Sequence, residues 1–246
     1  MAQDLNSLGG KILRINPDGT IPDDNPFENS PVYSYGHRNP QGLDWDPVTG
    51  KLVISEHGSR AHDEVNVIEP GKNYGWPEVT GDETGPNYSS PILHTGDETW
   101  APSGASFYNS NNIEQWENKY FIAALGGKHL RMLDLDLESN KVISSEALFQ
   151  GEFGRLRDAS VGPDGNLYLL TSNRDGRGQP EPTDDRVLRI ILMEQVTGQQ
   201  LDTDSTGFTN DQIFWGSVII SLIILIYAVL KKKSSSSKPK TIQRTS

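Results

Sequence analysis

Apolar positions along residues 9–192 come in short runs, none with the spacing of a helix face. Lys11-Ile12-Leu13-Arg14-Ile15 runs into Asn16-Pro17-Asp18-Gly19. Leu52-Val53-Ile54-Ser55 follows Asp46-Pro47-Val48-Thr49-Gly50, and Leu167-Tyr168-Leu169-Leu170 follows Gly162-Pro163-Asp164-Gly165. Proline presets the φ of a turn and glycine supplies the positive φ at its exit. Short strands at this spacing predict an all-β sandwich, barrel or propeller.

Internal similarity selects the propeller. GLDWDPVTGKLVISE (42–56) and ASVGPDGNLYLLTS (159–172) share one plan: a strand, a Pro–Gly hairpin and an apolar strand. KILRI (11–15) and RVLRI (186–190) form a second matched pair. At ~40–45 residues per blade, residues 9–192 hold roughly four blades.

Beyond residue 192 the pattern changes. Ile213 to Leu230 is an uncharged, mostly aliphatic run of 18 residues, with Trp215 and Tyr227 near its ends. About 20 apolar residues span a bilayer as a helix. Lys231, Lys232 and Lys233 follow at once, which places this end in the cytoplasm and residues 1–212 outside. The expected organisation is a β domain over 1–192, a linker over 193–212, a single transmembrane helix over 213–230 and a basic cytoplasmic tail over 231–246. The expected location is therefore the cell membrane. MAQDLNSLGGKILRI contains no apolar leader segment.

Charge sharpens this division. The 246 residues carry a net charge of -11, yet residues 213–246 hold six Lys/Arg and no acid, which leaves -17 on the residues before them. So acidic a domain excludes a nucleic-acid partner, which needs a basic face. The absence of cysteine excludes disulfides, zinc–thiolate sites and cysteine nucleophiles. No P-loop, dinucleotide fingerprint or Gly-x-Ser-x-Gly elbow is present.

Three segments carry unusual chemistry. Tyr35-Gly36-His37-Arg38-Asn39-Pro40-Gln41-Gly42 packs planar hydrogen-bonding heads just before a strand, which suits a flat ligand bearing carboxylates and carbonyls, or else a polar loop between blades. Ser55-Glu56-His57-Gly58-Ser59-Arg60-Ala61-His62-Asp63-Glu64-Val65-Asn66 mixes carboxylates with exposed backbone, a combination suited to Ca²⁺ and its hard oxygen ligands. Zinc is weakly supported there, because His57 and His62 have no third His or Cys nearby in sequence. Arg155-Leu156-Arg157-Asp158 puts two guanidinium groups on one face of an extended segment. They clamp a dianion, or they lie on a solvated edge strand with Asp158 as counter-ion.

GHRNPQG (36–42), SEHG (55–58), DEVN (63–66), NYGWP (73–77), WAPSG (100–104), RLRD (155–158) and PDGNLYLLT (163–171) together resemble the soluble PQQ-dependent glucose/sorbosone (aldose sugar) dehydrogenases, in order and spacing as well as content. The resemblance covers about residues 9–191. It implies a six-bladed propeller, of which about four blades are present here, with pyrroloquinoline quinone (PQQ) on the axis and Ca²⁺ beside it. It implies oxidation of the anomeric carbon of an aldose to a lactone, with an unidentified electron acceptor.

By position, Arg38, Asn39 and Gln41 match the cofactor-contacting loop of that family. Arg155 and Arg157 match the pair that holds cofactor carboxylates, and Thr99 matches a cofactor-touching threonine. Gly58 and Ser59 match the carbonyls that bind the cofactor-side Ca²⁺; Glu64 and the carbonyl of Tyr74 match a second, structural Ca²⁺ site. The family's cofactor lysine aligns with Gly126, and Lys128 is the substitute if the segment is a strand, since a shift of two keeps the face.

The family's catalytic histidine, in a His-Asn-Gly-Gly-Arg-like context, has no counterpart among His37, His57, His62, His94 and His129. The chain therefore reads as the C-terminal part of a longer protein. Two further readings use the same residues: a non-catalytic Ca²⁺-binding cell-surface propeller that binds carbohydrate or a partner, and an anchored structural surface protein.

Overall fold

Thirteen strands and one 3₁₀ turn make up the described residues of the computed structural model, which are 1–81, 83 and 85–192. The linker, membrane span and basic tail expected over 193–246 lie outside them. Among the described residues no helix is long and apolar enough to cross a membrane. Everything below concerns one unit, Met1–Ile191.

The strands are β1 (Lys11–Leu13), β2 (Val32–Tyr35), β3 (Pro40–Trp45), β4 (Leu52–Glu56), β5 (Glu64–Ile68), β6 (Leu93–His94), β7 (Pro102–Phe107), β8 (Tyr120–Ala124), β9 (His129–Asp136), β10 (Lys141–Leu148), β11 (Leu156–Val161), β12 (Leu167–Thr171) and β13 (Val187–Ile190). They form four antiparallel sheets: β1–β2, β3–β4–β5–β6, β7–β8–β9–β10 and β11–β12–β13. Two are complete four-stranded meanders of the propeller-blade type. The two matched hairpins of the sequence occupy equivalent places, as β3–β4 and β11–β12.

The sheets stack face to face, so a middle strand is buried on both faces. β8 reads Tyr-Phe-Ile-Ala-Ala, and all five residues are buried. Tyr120 and Ile122 turn into a core with Val53, Val65, Phe107 and Leu133. Phe121 and Ala123 turn the other way, into a core with Leu130, Leu156, Leu167 and Leu169. Alternation with period two thus feeds two inter-sheet cores from one strand. Each large apolar side chain so buried contributes about 1.5–3 kcal/mol. A third core, around Ile12, Leu52, Ile54 and Tyr74, joins β1–β2 to the next sheet.

The first strands of successive sheets pack on each other, β3 on β7 and β7 on β11. Gly42 permits the first approach. A Cβ there would stand 2.5 Å from the Ser103 carbonyl oxygen and 2.6 Å from the Ala105 Cβ. β11 is therefore an interior strand, not the solvated edge that the sequence allowed.

Candidate functional site

Register puts the chemically distinctive loops at one end of the sheets. The start of β3 lies opposite the end of β4 (Pro40 with Glu56), β7 opposite β8 (Pro102 with Ala124), and β11 opposite β12 (Leu156 with Thr171). The segments before β3, β7 and β11 carry Arg38 and Asn39, Thr99, and Arg155. The turns after β4 and β8 carry Gly58 with Ser59, and Lys128. Hydrogen bonds tie these loops across sheet boundaries. Ser103 Oγ donates to Gln41 Oε1 at 3.4 Å, and Arg155 Nη1 donates to the Leu125 carbonyl at 3.1 Å.

The loop before β3 is held by a buried carboxylate. Glu56 Oε2 accepts the Arg38 backbone N–H at 3.0 Å, and Glu56 Oε1 meets His37 Nδ1 at 3.1 Å. His37 is itself buried, with Nε2 2.8 Å from Ser34 Oγ and its ring stacked on Tyr74 at 4.7 Å. Gly36 enters this loop at φ +76, where a side chain would be strained and would run into Asn73. The Arg38 side chain is thereby left exposed, its guanidinium 5.5 Å from the Trp76 ring and donating to the His57 carbonyl at 3.2 Å.

Asp63 organises the neighbouring loops. Its Oδ1 accepts the Gly58 N–H at 2.9 Å, and its Oδ2 accepts the Trp100 and Ala101 N–H groups, both at 2.8 Å. Thr99 Oγ1 donates to the Arg60 carbonyl at 2.7 Å. Asp63 thus fixes Gly58 and Thr99 relative to each other. The sequence placed Asp63 in the DEVN motif and the acidic 55–66 segment without a role of its own.

Arg155 and Arg157 converge on one carboxylate. Arg155 Nη2 and Nε reach Asp175 Oδ2 at 2.8 and 3.0 Å, and Arg157 Nη2 lies 3.6 Å from the same oxygen. The counter-ion is therefore Asp175, from the turn after β12, and not Asp158, whose Oδ1 accepts the Ala159 N–H. Lys128 also departs from its expected setting. β8 ends at Ala124, so Lys128 sits in the β8–β9 turn at φ +53 with an exposed side chain, and strand parity does not relate it to Gly126.

A small cavity joins three groups of these residues: Arg38; His57 and Gly58; and Glu64 with Tyr74. Glu64 faces Glu56 across β4 and β5. Burial, and then the Glu56 charge, raise its carboxyl to about 7, against the opposing Gly81 N–H and Asn66 amide. Asn66 is fully buried. Its Nδ2 donates to Glu56 Oε1 at 3.0 Å and to Glu64 Oε2 at 3.1 Å, while its Oδ1 has no hydrogen-bond partner among the described residues. The facing carboxylates of Glu56 and Glu64 are hard donors that suit a divalent cation of the Ca²⁺ type, although Asn66 turns its amino group rather than its oxygen toward them.

Imidazole ligation fits less well. His62 and His94 stack at 6.3 Å, so the fold supplies the second imidazole from β6. Among the described residues no group of three or more His, Asp or Glu side chains is arranged to hold a metal. Carbonyls such as those of Gly58, Ser59 and Tyr74 would have to complete a site. Burial lowers the pKa of His57, against the pull of Asp63, so its ring stays neutral near pH 7.

The family profile for glucose/sorbosone dehydrogenase matches residues 1–189. The chain belongs to the glucose/sorbosone dehydrogenase family. It is 39% identical over 196 residues to the aldose sugar dehydrogenase YliI of Escherichia coli, covering 71% of this chain and 51% of that protein. It is 31% identical over 255 residues to quinoprotein glucose dehydrogenase B of Acinetobacter calcoaceticus, covering 77% of this chain and 52% of that protein. Its fold matches the PQQ-bound form of the aldose sugar dehydrogenase of Streptomyces coelicolor with a TM-score of 0.67 and 43% identity, over 76% of this chain and 53% of that one. The chain thus spans about half the length of these glucose/sorbosone dehydrogenases.

Proposed function

We propose that this chain carries the PQQ and Ca²⁺ seats of an aldose sugar dehydrogenase that oxidises the anomeric carbon of a sugar to a lactone. One observation carries the reading: Arg38, Thr99, Arg155 and Arg157 come from three successive sheets to one end of the packed first strands. Arg38 and Arg157 leave exposed donors for a planar, carboxylated ligand, and Asn39 and Gln41 add amides beside them. Asp175 keeps Arg155 oriented, and Asp63 keeps the Gly58 loop against Thr99. PQQ, when bound, supplies the two-electron chemistry. Glu64, with the Tyr74 carbonyl, holds a structural Ca²⁺, and the Gly58 and Ser59 carbonyls hold the cofactor-side ion. Lys128 reaches the cofactor from its turn.

The uncharged run 213–230 followed by three lysines supports a single membrane span, with the sheets outside and the C-terminus in the cytoplasm. The electron acceptor then lies near the membrane.

The test is to load the full chain, in detergent, with PQQ and Ca²⁺ and then add an aldose. Bleaching of the quinone absorbance with stoichiometric lactone supports the dehydrogenase. Tight PQQ binding with an unchanged quinone spectrum contradicts turnover by this chain. Ca²⁺ binding without PQQ binding points to the non-catalytic surface module.

A further inference from the structure

β1 and β13 are the same kind of strand, and each lacks the neighbour that the other has. KILRI (11–15) matches RVLRI (186–190) position by position. β13 is the third strand of its sheet, with Leu188 opposite Leu169 and Ile190 opposite Leu167 of β12. Leu188 and Ile190 pack on the core shared with the preceding blade, whereas Val187, on the other face, is 68% exposed. β1 shows the converse. Ile12, the counterpart of Val187, is buried with Leu52 and Ile54 of the next blade. Leu13 and Ile15, the counterparts of Leu188 and Ile190, are 42% and 59% exposed.

β1–β2 is thus the outer half of a blade, and β11–β12 is the inner half of one. Among the described residues β1 pairs with β2 alone, and an open apolar edge of this kind is normally covered. The first strand of the next blade is bare on the same side. Register makes Leu43 and Trp45 of β3 the counterparts of Ala105 and Phe107 of β7. Ala105 and Phe107 pack on Val53 of the preceding blade, yet Trp45 is 58% exposed.

We propose that two copies of this chain close one ring, β1–β2 of each copy replacing β13 on the β11–β12 hairpin of the other. Each copy then supplies β3–β6, β7–β10 and the two halves of shared blades. Two copies make six blades, within the roughly 4–8 of propellers. β1 offers β12 nearly the same side chains as β13 does, so the exchange loses little pairing. Leu13 and Ile15 land on the core that Leu188 and Ile190 now cover. Tyr168, which follows Gly-Asn-Leu as Val53 follows Gly-Lys-Leu, comes against the partner's Leu43 and Trp45. Arg14 takes the place of Arg189, whose guanidinium pairs with Asp164 at 2.8 Å. Exchange of an identical element between protomers is a low-cost route to a closed dimer. None of this depends on the dehydrogenase reading.

The chain has no cysteine, so introduced ones report a single contact. Tyr168 lies opposite Arg189, and the exchange puts the partner's Arg14 in that position. Residues directly opposite in antiparallel strands are within disulfide range. The full chain is studied in detergent. Under a mild oxidant the Arg14→Cys/Tyr168→Cys variant runs as a covalent dimer on a non-reducing denaturing gel, and neither single variant does. Tyr168→Cys/Arg189→Cys pins β13 to β12 within one chain and abolishes the dimer in light scattering. Trp45→Asp, at a side chain exposed in the single chain, weakens the dimer at least about tenfold.

A wild-type monomer overturns the proposal and leaves the open faces to a different polypeptide. A dimer that gives no Arg14–Tyr168 cross-link, or that survives both pinning of β13 and Trp45→Asp, is held elsewhere and overturns it too. Cross-linking by either single variant marks a different contact and has the same consequence.

Discussion

Asp175 holds Arg155 from the turn after β12, with Nη2 at 2.8 Å and Nε at 3.0 Å from one carboxylate oxygen. Arg155 also caps the Leu125 carbonyl of the preceding sheet, so the ion pair is a joint between two sheets as well as a positioning device. Asp175→Ala leaves a nearly buried guanidinium without its counter-ion and costs about 2 kcal/mol in urea unfolding at pH 7. The Arg155 hydrogen bond is the main cause that lowers the Asp175 carboxyl below its ordinary value. The folded state therefore prefers the ionised form. Its stabilisation is present above the unfolded value near 3.8 and is lost as pH falls through the lower folded value. The gap between wild type and variant should shrink when unfolding is repeated at pH 3; a constant gap would mean that the pair contributes no linked stability.

Glu64 gives the opposite sign. Burial and Glu56, then Asp63 more weakly, raise its carboxyl from 4.5 to about 7. Folding therefore binds a proton more tightly, and stability falls as pH rises from about 4.5 through about 7, by about 3 kcal/mol when complete. In EDTA at pH 8, Glu64→Gln should melt higher than the wild type. In saturating Ca²⁺ the order should reverse, because only the carboxylate gains from the cation. Equal melting points in EDTA would contradict the buried charge; equal responses to Ca²⁺ would contradict the cation site.

Asp63 bonds three backbone N–H groups from two loops, and none has a substitute once the carboxylate is gone. Asp63→Ala should cost more than about 3 kcal/mol, and Asp63→Asn, which keeps one acceptor, about half of that. Guanidinium unfolding of the two variants side by side checks the ranking.

Gly42 tests the packing of first strands. Gly42→Ala places a methyl against the Ser103 carbonyl and Ser55 Oγ, at 2.5 and 2.6 Å before relaxation. Overpacking at this contact should cost about 1–3 kcal/mol. A neutral result would show that β3 and β7 have room to separate.

Much of the fold was legible because both sides of each blade are buried. Short apolar runs such as Leu52–Ser55 and Leu167–Leu170 and their Pro–Gly turns gave β4 and β12 nearly to the residue. The site was legible where planar polar side chains cluster in sequence, as at Arg38, Asn39 and Gln41. It was hidden where the fold supplies the partner. Asp175 lies 20 residues from Arg155 in an ordinary turn, and only pairing of β11 with β12 brings them together. The setting of Lys128 was hidden for the reverse reason: Gly126 and Gly127 read as part of a strand, yet the chain turns there and strand parity is lost. The Glu56–Asn66–Glu64 chain follows from the register of β4 and β5, which no motif encodes.

The central claim is that the end of the first strands seats PQQ. The most direct measurement is a calorimetric titration of PQQ into the full chain with Ca²⁺, beside an Arg155→Ala/Arg157→Ala variant that still melts cooperatively. The account predicts saturable one-to-one binding in the wild type and a loss of at least about a hundredfold in the variant, from two charge-assisted contacts. Equal affinity in the two proteins, or no saturable binding by the wild type, would contradict it.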